Sequence, residues 1–199
     1  MAVRSARDGT AGGYKLRALR PGDWPLVERL FGSNGACGGC WCMWWRLPRG
    51  GKAWEAAKGE GNRRALQRLV EQGACRAILA FRDGAPVGWC SFGPREDFPR
   101  IANSRKLRRA RPAPWSVNCF FIDRAHRKRG LSGLLLAAAT EAAFRAGASA
   151  IEGYPVLPRD GDFPGTFAWT GLPGTFERAG FRRMAEDAGA RAIYERGRP

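Results

Sequence analysis

Apolar positions along this chain recur with two periods, and the changes of period mark out its elements. The densest apolar run, residues 117–122, is short, nearly unbroken and rich in β-branched and aromatic side chains. It predicts a strand buried on both faces within a parallel or mixed sheet. Residues 14–19 alternate as a strand does. Residues 76–81 and 86–92 read as two strands about Asp83-Gly84, a pair suited to the tight turn of a hairpin. Residues 150–156 read as a further strand, with Glu152 and Tyr154 on one face and Ile151 on the other.

Helical spacing occurs in three stretches. Asp23 is positioned as the N-cap of a helix running to about Phe31, with Pro25 in its first turn and Leu26, Val27 and Leu30 facing inward. Residues 62–72 carry Leu66, Leu69 and Val70 on one face and end at Gly73. The third helix starts at Leu131, with Leu134, Leu135, Ala138 and Ala142 at helical spacing and Gly147 as its stop. Residues 1–13 are polar and Gly/Ala-rich and are expected to form a mobile tail, leaving 14–199 as one domain. Residues 93–114 lack periodicity. Their basic run, from Arg105 to Arg111, reads as a solvated loop.

Composition narrows this picture only slightly. A chain of 199 residues is large enough to bury a proper core, and 44% hydrophobic with 26% charged residues is ordinary for a globular protein. No apolar run approaches the ~20 residues needed to span a bilayer, and the N-terminus lacks a signal-peptide core. The expectation is a cytoplasmic protein, monomer or homodimer, with its six cysteines mostly reduced. A net charge of +16 attracts anions, whether cofactor phosphates, acidic substrates or nucleic acid, without choosing among them.

Two stretches carry chemistry. Cys37, Cys40 and Cys42 share a segment with Trp41, Trp44 and Trp45. A Cys-x-x-Cys pair can form half of a tetrahedral zinc site, but no second pair follows and the only histidine, His126, lies far along the chain. Packing of reduced thiols is the expectation, with no metal. The tryptophans are open to two readings, as core or as the wall of a substrate cleft. The other stretch follows the strand at 117–122. A basic turn, Arg127-Lys128-Arg129-Gly130-Leu131-Ser132-Gly133, leads straight into a helix. The unpaired N–H groups and positive dipole end of a helix start, approached through glycines, make an anion site.

The turn lacks the spacing of a P-loop or a Rossmann turn. It fits R-x-x-G-x-[G/A] through Arg127, Gly130 and Ser132, and so resembles the acetyl-CoA signature of the GNAT superfamily of N-acetyltransferases. The lead-in Ile122-Asp123-x-x-His126-Arg127, the opening Leu19-Arg20-Pro21-Gly22-Asp23 and the late Thr175-Phe176-Glu177-Arg178-Ala179-Gly180-Phe181 are also similar to that family. Closing strands at 182–186 and 191–196 would complete the order β-α-α-β-β-β-α-β-α-β-β. The resemblance implies an α/β protein of the GNAT fold: a mixed, mostly antiparallel sheet flanked by helices, with a splayed central strand pair.

It further implies acetyl-CoA as co-substrate. The pantetheine would pair with the main chain of Phe120, Phe121 and Ile122, and the pyrophosphate would sit on the turn formed by Arg127, Arg129, Gly130, Leu131, Ser132 and Gly133. An amine, on a small molecule or on a protein or peptide, would attack the thioester, with Trp41, Trp44 and Trp45 as candidate acceptor contacts. Two departures matter. Phe176 stands where the family often has an acidic tyrosine, and Ser116 where one branch has a base glutamate. Glu152 and Tyr154, on the strand bordering the thioester, become the candidate base and acid. The competing readings are a silent acyl-CoA-binding module of the same fold and, from charge alone, a nucleic-acid-binding protein.

Overall fold

The computed structural model describes residues 9–48, 52–107, 114–157, 168–184 and 192–199. Strands β1 (Gly9–Ala11), β2 (Tyr14–Ala18), β3 (Ala77–Arg82), β4 (Ala85–Pro94), β5 (Trp115–Ile122), β6 (Ala150–Gly153), β7 (Arg182–Arg183) and β8 (Tyr194–Gly197) form one sheet. Their order across it is β1-β2-β3-β4-β5-β6-β8-β7. Every neighbouring pair is antiparallel except β5 with β6. The β3–β4 hairpin closes through Asp83 and Gly84 at φ of 49° and 76°, the paired left-handed conformation that a two-residue turn needs. Part of the expected tail is structured, because residues 9–11 pair with β2; residues 1–8 lie outside the described set.

The helices are α1 (Trp24–Phe31), α2 (Lys52–Ala57), α3 (Glu60–Glu71), α4 (Pro99–Ala102), α5 (Leu131–Arg145) and α6 (Pro173–Arg178). On one face of the sheet, α1 and α3 bury Val27, Phe31, Leu66 and Val70 against Leu79 and Trp89. On the other face, α5 buries Leu131, Leu135, Leu136, Ala139 and Ala143 against Ile78, Val117 and Ile151. This face is rotated from the expected one, since Leu134, Ala138 and Ala142 are only partly buried. The helix is apolar nearly all round, so periodicity could not select its inward side. It seats closely on the sheet: a Cβ on Gly88 would stand 3.2 Å from Ala80 Cβ, Leu131 Cδ2 and Leu135 Cδ1.

Two local expectations change. Asp23 occupies the N-cap position of α1, but its carboxylate bonds elsewhere, accepting from the Arg17 guanidinium at 2.5 and 2.9 Å and from the Arg20 amide at 2.7 Å. Burial opposes the charge of Asp23, yet the Arg17 and Arg20 bonds hold its carboxyl below the usual range. Residues 93–107 are also less irregular than their sequence suggests. They contain α4 and two single 3-10 turns, at Arg95–Asp97 and Arg105–Leu107. Arg108, Arg109 and Arg111 of the basic run lie outside the described residues.

Candidate active site

The sheet opens at its one parallel seam. β5 and β6 pair at Trp115↔Ile151, Ser116↔Glu152 and Val117↔Gly153, after which β6 ends while β5 continues to Ile122. At the same point β5 carries a β-bulge: Phe92 faces Val117 and Ser91 faces Cys119, leaving Asn118 as the extra residue. A bulge bends the strand that contains it, and here the bend and the end of the parallel ladder coincide. The result is a fork with its apex at residues 117–118, the splayed central pair expected from the sequence.

Beyond the apex, the Phe120 amide donates to Trp169 O at 2.6 Å and the Val156 amide to Gly171 O at 3.1 Å. Residues 169–171 therefore lie between the two diverging chains. Strand alternation turns the main-chain groups of Phe120 and Ile122 to this open edge, and those of Phe121 toward β4. The Ile122 carbonyl accepts from Arg127 Nε at 2.9 Å, which folds the basic turn back onto the strand end.

That turn has the geometry of an anion site. Lys128 and Gly130 have φ of 59° and 76°, and such left-handed turns gather successive N–H groups into a concave anion site. Gly130 precedes the first residue of α5 and needs its positive φ; nothing lies within 4 Å of a Cβ built on Gly130 or on Gly133. Arg129 and Gly130 are exposed, while Arg127, Ser132 and Gly133 are half-buried. Leu131 faces the core and can contribute only its main chain. The Tyr14 hydroxyl, 3.2 Å from His126 Nδ1, ties the turn to β2. The open surface, helix start and cationic side chains fit a pyrophosphate. The Phe120 and Ile122 edge fits an extended amide chain where Trp169 does not already hold it.

Glu152 and Tyr154 come together as the sequence suggests, but inside the protein. Tyr154 OH donates to Glu152 Oε2 at 2.9 Å and lies 2.9 Å from Ser116 Oγ. Arg95 Nη1 donates to the same Oε2 at 3.0 Å, and its Nη2 to the carbonyls of Ile101 and Leu107. Arg95 is 4% exposed; Ser116, Glu152 and Tyr154 are 0% exposed. Burial first, and then the Glu152 charge, push the Tyr154 phenol well above its ordinary range. Arg95 gave no signal in the sequence because it lies in the stretch without periodicity.

The tryptophans divide. Trp41 packs in the core, 5.7 Å from the rings of both Trp24 and Phe31. Trp45 is buried at the apex, where its Nε1 donates to Asn118 O at 2.9 Å. Trp44 is half-buried and stands edge-on to Trp54 at 5.2 Å and to Trp169 at 6.5 Å, with the Arg100 guanidinium 3.8 Å above it. Phe176, 0% exposed, rests on the backbones of Gly153 and Gly171, where added Cβ atoms would come within 2.0 and 2.7 Å of its ring. It fixes the base of the fork by packing.

The cysteines differ in burial. Cys37 is exposed, whereas Cys42 is buried and accepts from Trp89 Nε1 at 3.1 Å. Burial pushes the Cys40 thiol up to about 11 and the Cys42 thiol well above its ordinary value, away from the thiolate form that zinc requires. Among the described residues, no three His, Cys, Asp or Glu side chains group to hold a metal ion. Elemental analysis of the purified protein is expected to find no stoichiometric zinc. One zinc per chain, lost in Cys40→Ser, would overturn this.

The acetyltransferase (GNAT) family model matches residues 42–155. The chain belongs to the GNAT acetyltransferase family. The matched span holds both arms of the fork and the anion turn. Ribosomal-protein-S5-alanine acetyltransferase from Vibrio fischeri is 15% identical, with 96% of each chain covered and a TM-score of 0.55. A PaiA N-acetyltransferase from Thermoplasma acidophilum, solved with coenzyme A, is 16% identical over 93% of this chain and 99% of its own, with a TM-score of 0.52. A GNAT acetyltransferase from Brucella melitensis, solved with acetyl-CoA, is 14% identical over 95% of this chain and 90% of its own, with a TM-score of 0.50. These likenesses establish the shared fold. No curated protein matches the sequence. Among the described residues, no helix is long and apolar enough to cross a membrane.

Proposed function

We propose that this chain is an acetyl-CoA-dependent N-acetyltransferase. The observation that carries the reading is the continuity of the open edge of β5 with the Arg127–Gly133 turn through the Arg127–Ile122 bond. One extended ligand with a pyrophosphate at one end and an acyl thioester at the other would match that path. Acetyl-CoA supplies the activated acetyl group. The chain's own work is to seat the phosphates on the N–H groups of residues 129–132, the Gly133 amide already donating to Gly130 O, to pair the Phe120 carbonyl and the Ile122 amide with the ligand, and to hold the apex of the fork. The acceptor amine, on a small molecule or on a protein or peptide, attacks the thioester carbon; the C–N bond forms, the C–S bond breaks, and the sulfur leaves as thiolate. Trp44 and Trp169 are proposed to wall the acceptor entrance, with Trp45 behind them.

In this reading Glu152 and Tyr154 are positioning residues. The Arg95 ion pair on Glu152 and the hydrogen bonds of Tyr154 to Glu152 and Ser116 already engage both groups, which argues against proton exchange with a bound substrate. Phe176 has no proton to give. Water then accepts the ammonium proton and protonates the departing thiolate. The test is incubation with acetyl-CoA and a panel of amines, following thiol release. Release above the enzyme-free rate with at least one amine is expected. Tight acetyl-CoA binding without release to any amine, including peptide N-termini and lysines, would leave the silent-module reading instead.

A further inference from the structure

The apex of the fork offers two N–H donors of different kinds. The first is the Phe120 main-chain amide, which donates to Trp169 O. The second is the side-chain amide of Asn118. This residue is the bulge itself and is 1% exposed; its main-chain carbonyl is pinned by Trp45 Nε1, and its side-chain Nδ2 is buried without any hydrogen-bond partner. A buried NH₂ group with no acceptor loses its bonds to water and gains nothing in return, so its place in a core calls for a reason. An apolar residue of similar size would fill the same space without that loss. Rotation of the amide about its last torsion can present the NH₂ to either side, so the donor is not committed to one direction.

We propose that Asn118 is a catalytic residue whose Nδ2–H group donates to the thioester carbonyl oxygen and stabilises the negative charge that develops there. The proposal rests on the acetyl-CoA reading above, which brings the thioester to the apex. The location is the last rung of the parallel ladder, Val117↔Gly153, where the two strands part. The Trp45 indole restrains the Asn118 backbone, which pre-positions the donor as such sites require. No bond is made or broken at Asn118, and its protons stay on nitrogen throughout. Because Trp169 O already takes the Phe120 amide, the side chain is the donor still available at this point.

The experiment uses acetyl-CoA labelled with ¹³C at the acetyl carbonyl, bound to the whole chain and followed by NMR. A hydrogen bond to the carbonyl moves its resonance downfield from the free value. The parent is expected to show this shift, and Asn118→Ala and Asn118→Ser to return it most of the way, with acetyl-CoA affinity changed by less than about threefold. With an amine identified by thiol release, kcat should fall on the order of 10²-fold, in keeping with loss of one such donor, while the KM for acetyl-CoA barely moves. Melting temperatures of the variants should drop only by the packing lost on truncation, because no protein hydrogen bond from Nδ2 is lost. A downfield shift that persists in both variants would overturn the proposal and assign the carbonyl to another donor, such as the Phe120 amide. Unfolding of both variants would also overturn it, by showing that the side chain serves packing. Failure of the parent to bind acetyl-CoA is a different result, and would overturn the acetyltransferase reading itself.

Discussion

Acetyl-CoA at millimolar concentration is expected to raise the melting temperature by about 8–16 °C. Micromolar affinity gives on the order of 4 kcal/mol of stabilisation by mass action, and each kcal/mol moves a domain of this size by roughly 2–4 °C. Gly130→Asp should remove the effect. The substitution puts a carboxylate on the surface that faces the phosphates, at a residue whose φ of 76° already disfavours most side chains. The cations of the turn are unchanged, so a partial loss would measure what the N–H surface at Gly130 contributes beyond them. Thermal unfolding with and without ligand decides the matter. Equal stabilisation of parent and variant would mean that the anion seat is elsewhere.

Breaking the buried ion pair should have the other large effect. Arg95 and Glu152 are 5% and 0% exposed at their side chains and 3.0 Å apart. Removing one partner leaves an uncompensated charge in the interior, which typically costs about 3–5 kcal/mol. Glu152→Gln is therefore expected to lower the melting temperature by roughly 6–20 °C on the same scale. Replacing both residues by apolar side chains of similar volume should recover much of the loss. Differential scanning calorimetry distinguishes this from a direct chemical role. If Glu152→Gln melted with the parent and only turnover collapsed, Glu152 would be a general base after all.

Much of the scaffold is legible in the sequence because it depends on local rules. The Asp83-Gly84 turn, the alternation that separates Ile151 from Tyr154, and the apolar run of β5 each follow from period and turn chemistry. The anion turn is legible for the same reason, since its residues are contiguous. What escapes is chemistry assembled from distant segments. Asn118 sits in a run that reads simply as strand, and only the pairing register with β4 reveals the bulge. Arg95 reaches Glu152 from a stretch without periodicity, and residues 169–171 enter the fork from a segment with no motif. Trp41 and Trp44 are three residues apart in one aromatic run, yet one fills the core and the other lies near the surface. Composition could not separate them, because the loop between α1 and α2 has no repeating period to assign faces.

The close seat of α5 on Gly88 has a consequence for reach. Leu131, which touches that glycine, is also the first residue after the anion turn. The height of the helix above the sheet and the location of the proposed phosphate seat are thus linked. A methyl group at position 88 would act as a shim, forcing its neighbours to give by a few tenths of an ångström and carrying the turn with them. The apex of the fork, at residues 117–118, lies further along β5 from position 88, which faces Ile122. A ligand that must touch both has a fixed covalent length between its phosphates and its thioester, so the two ends would no longer be in register. A residue that meets neither end would in this way set the gauge of the whole site.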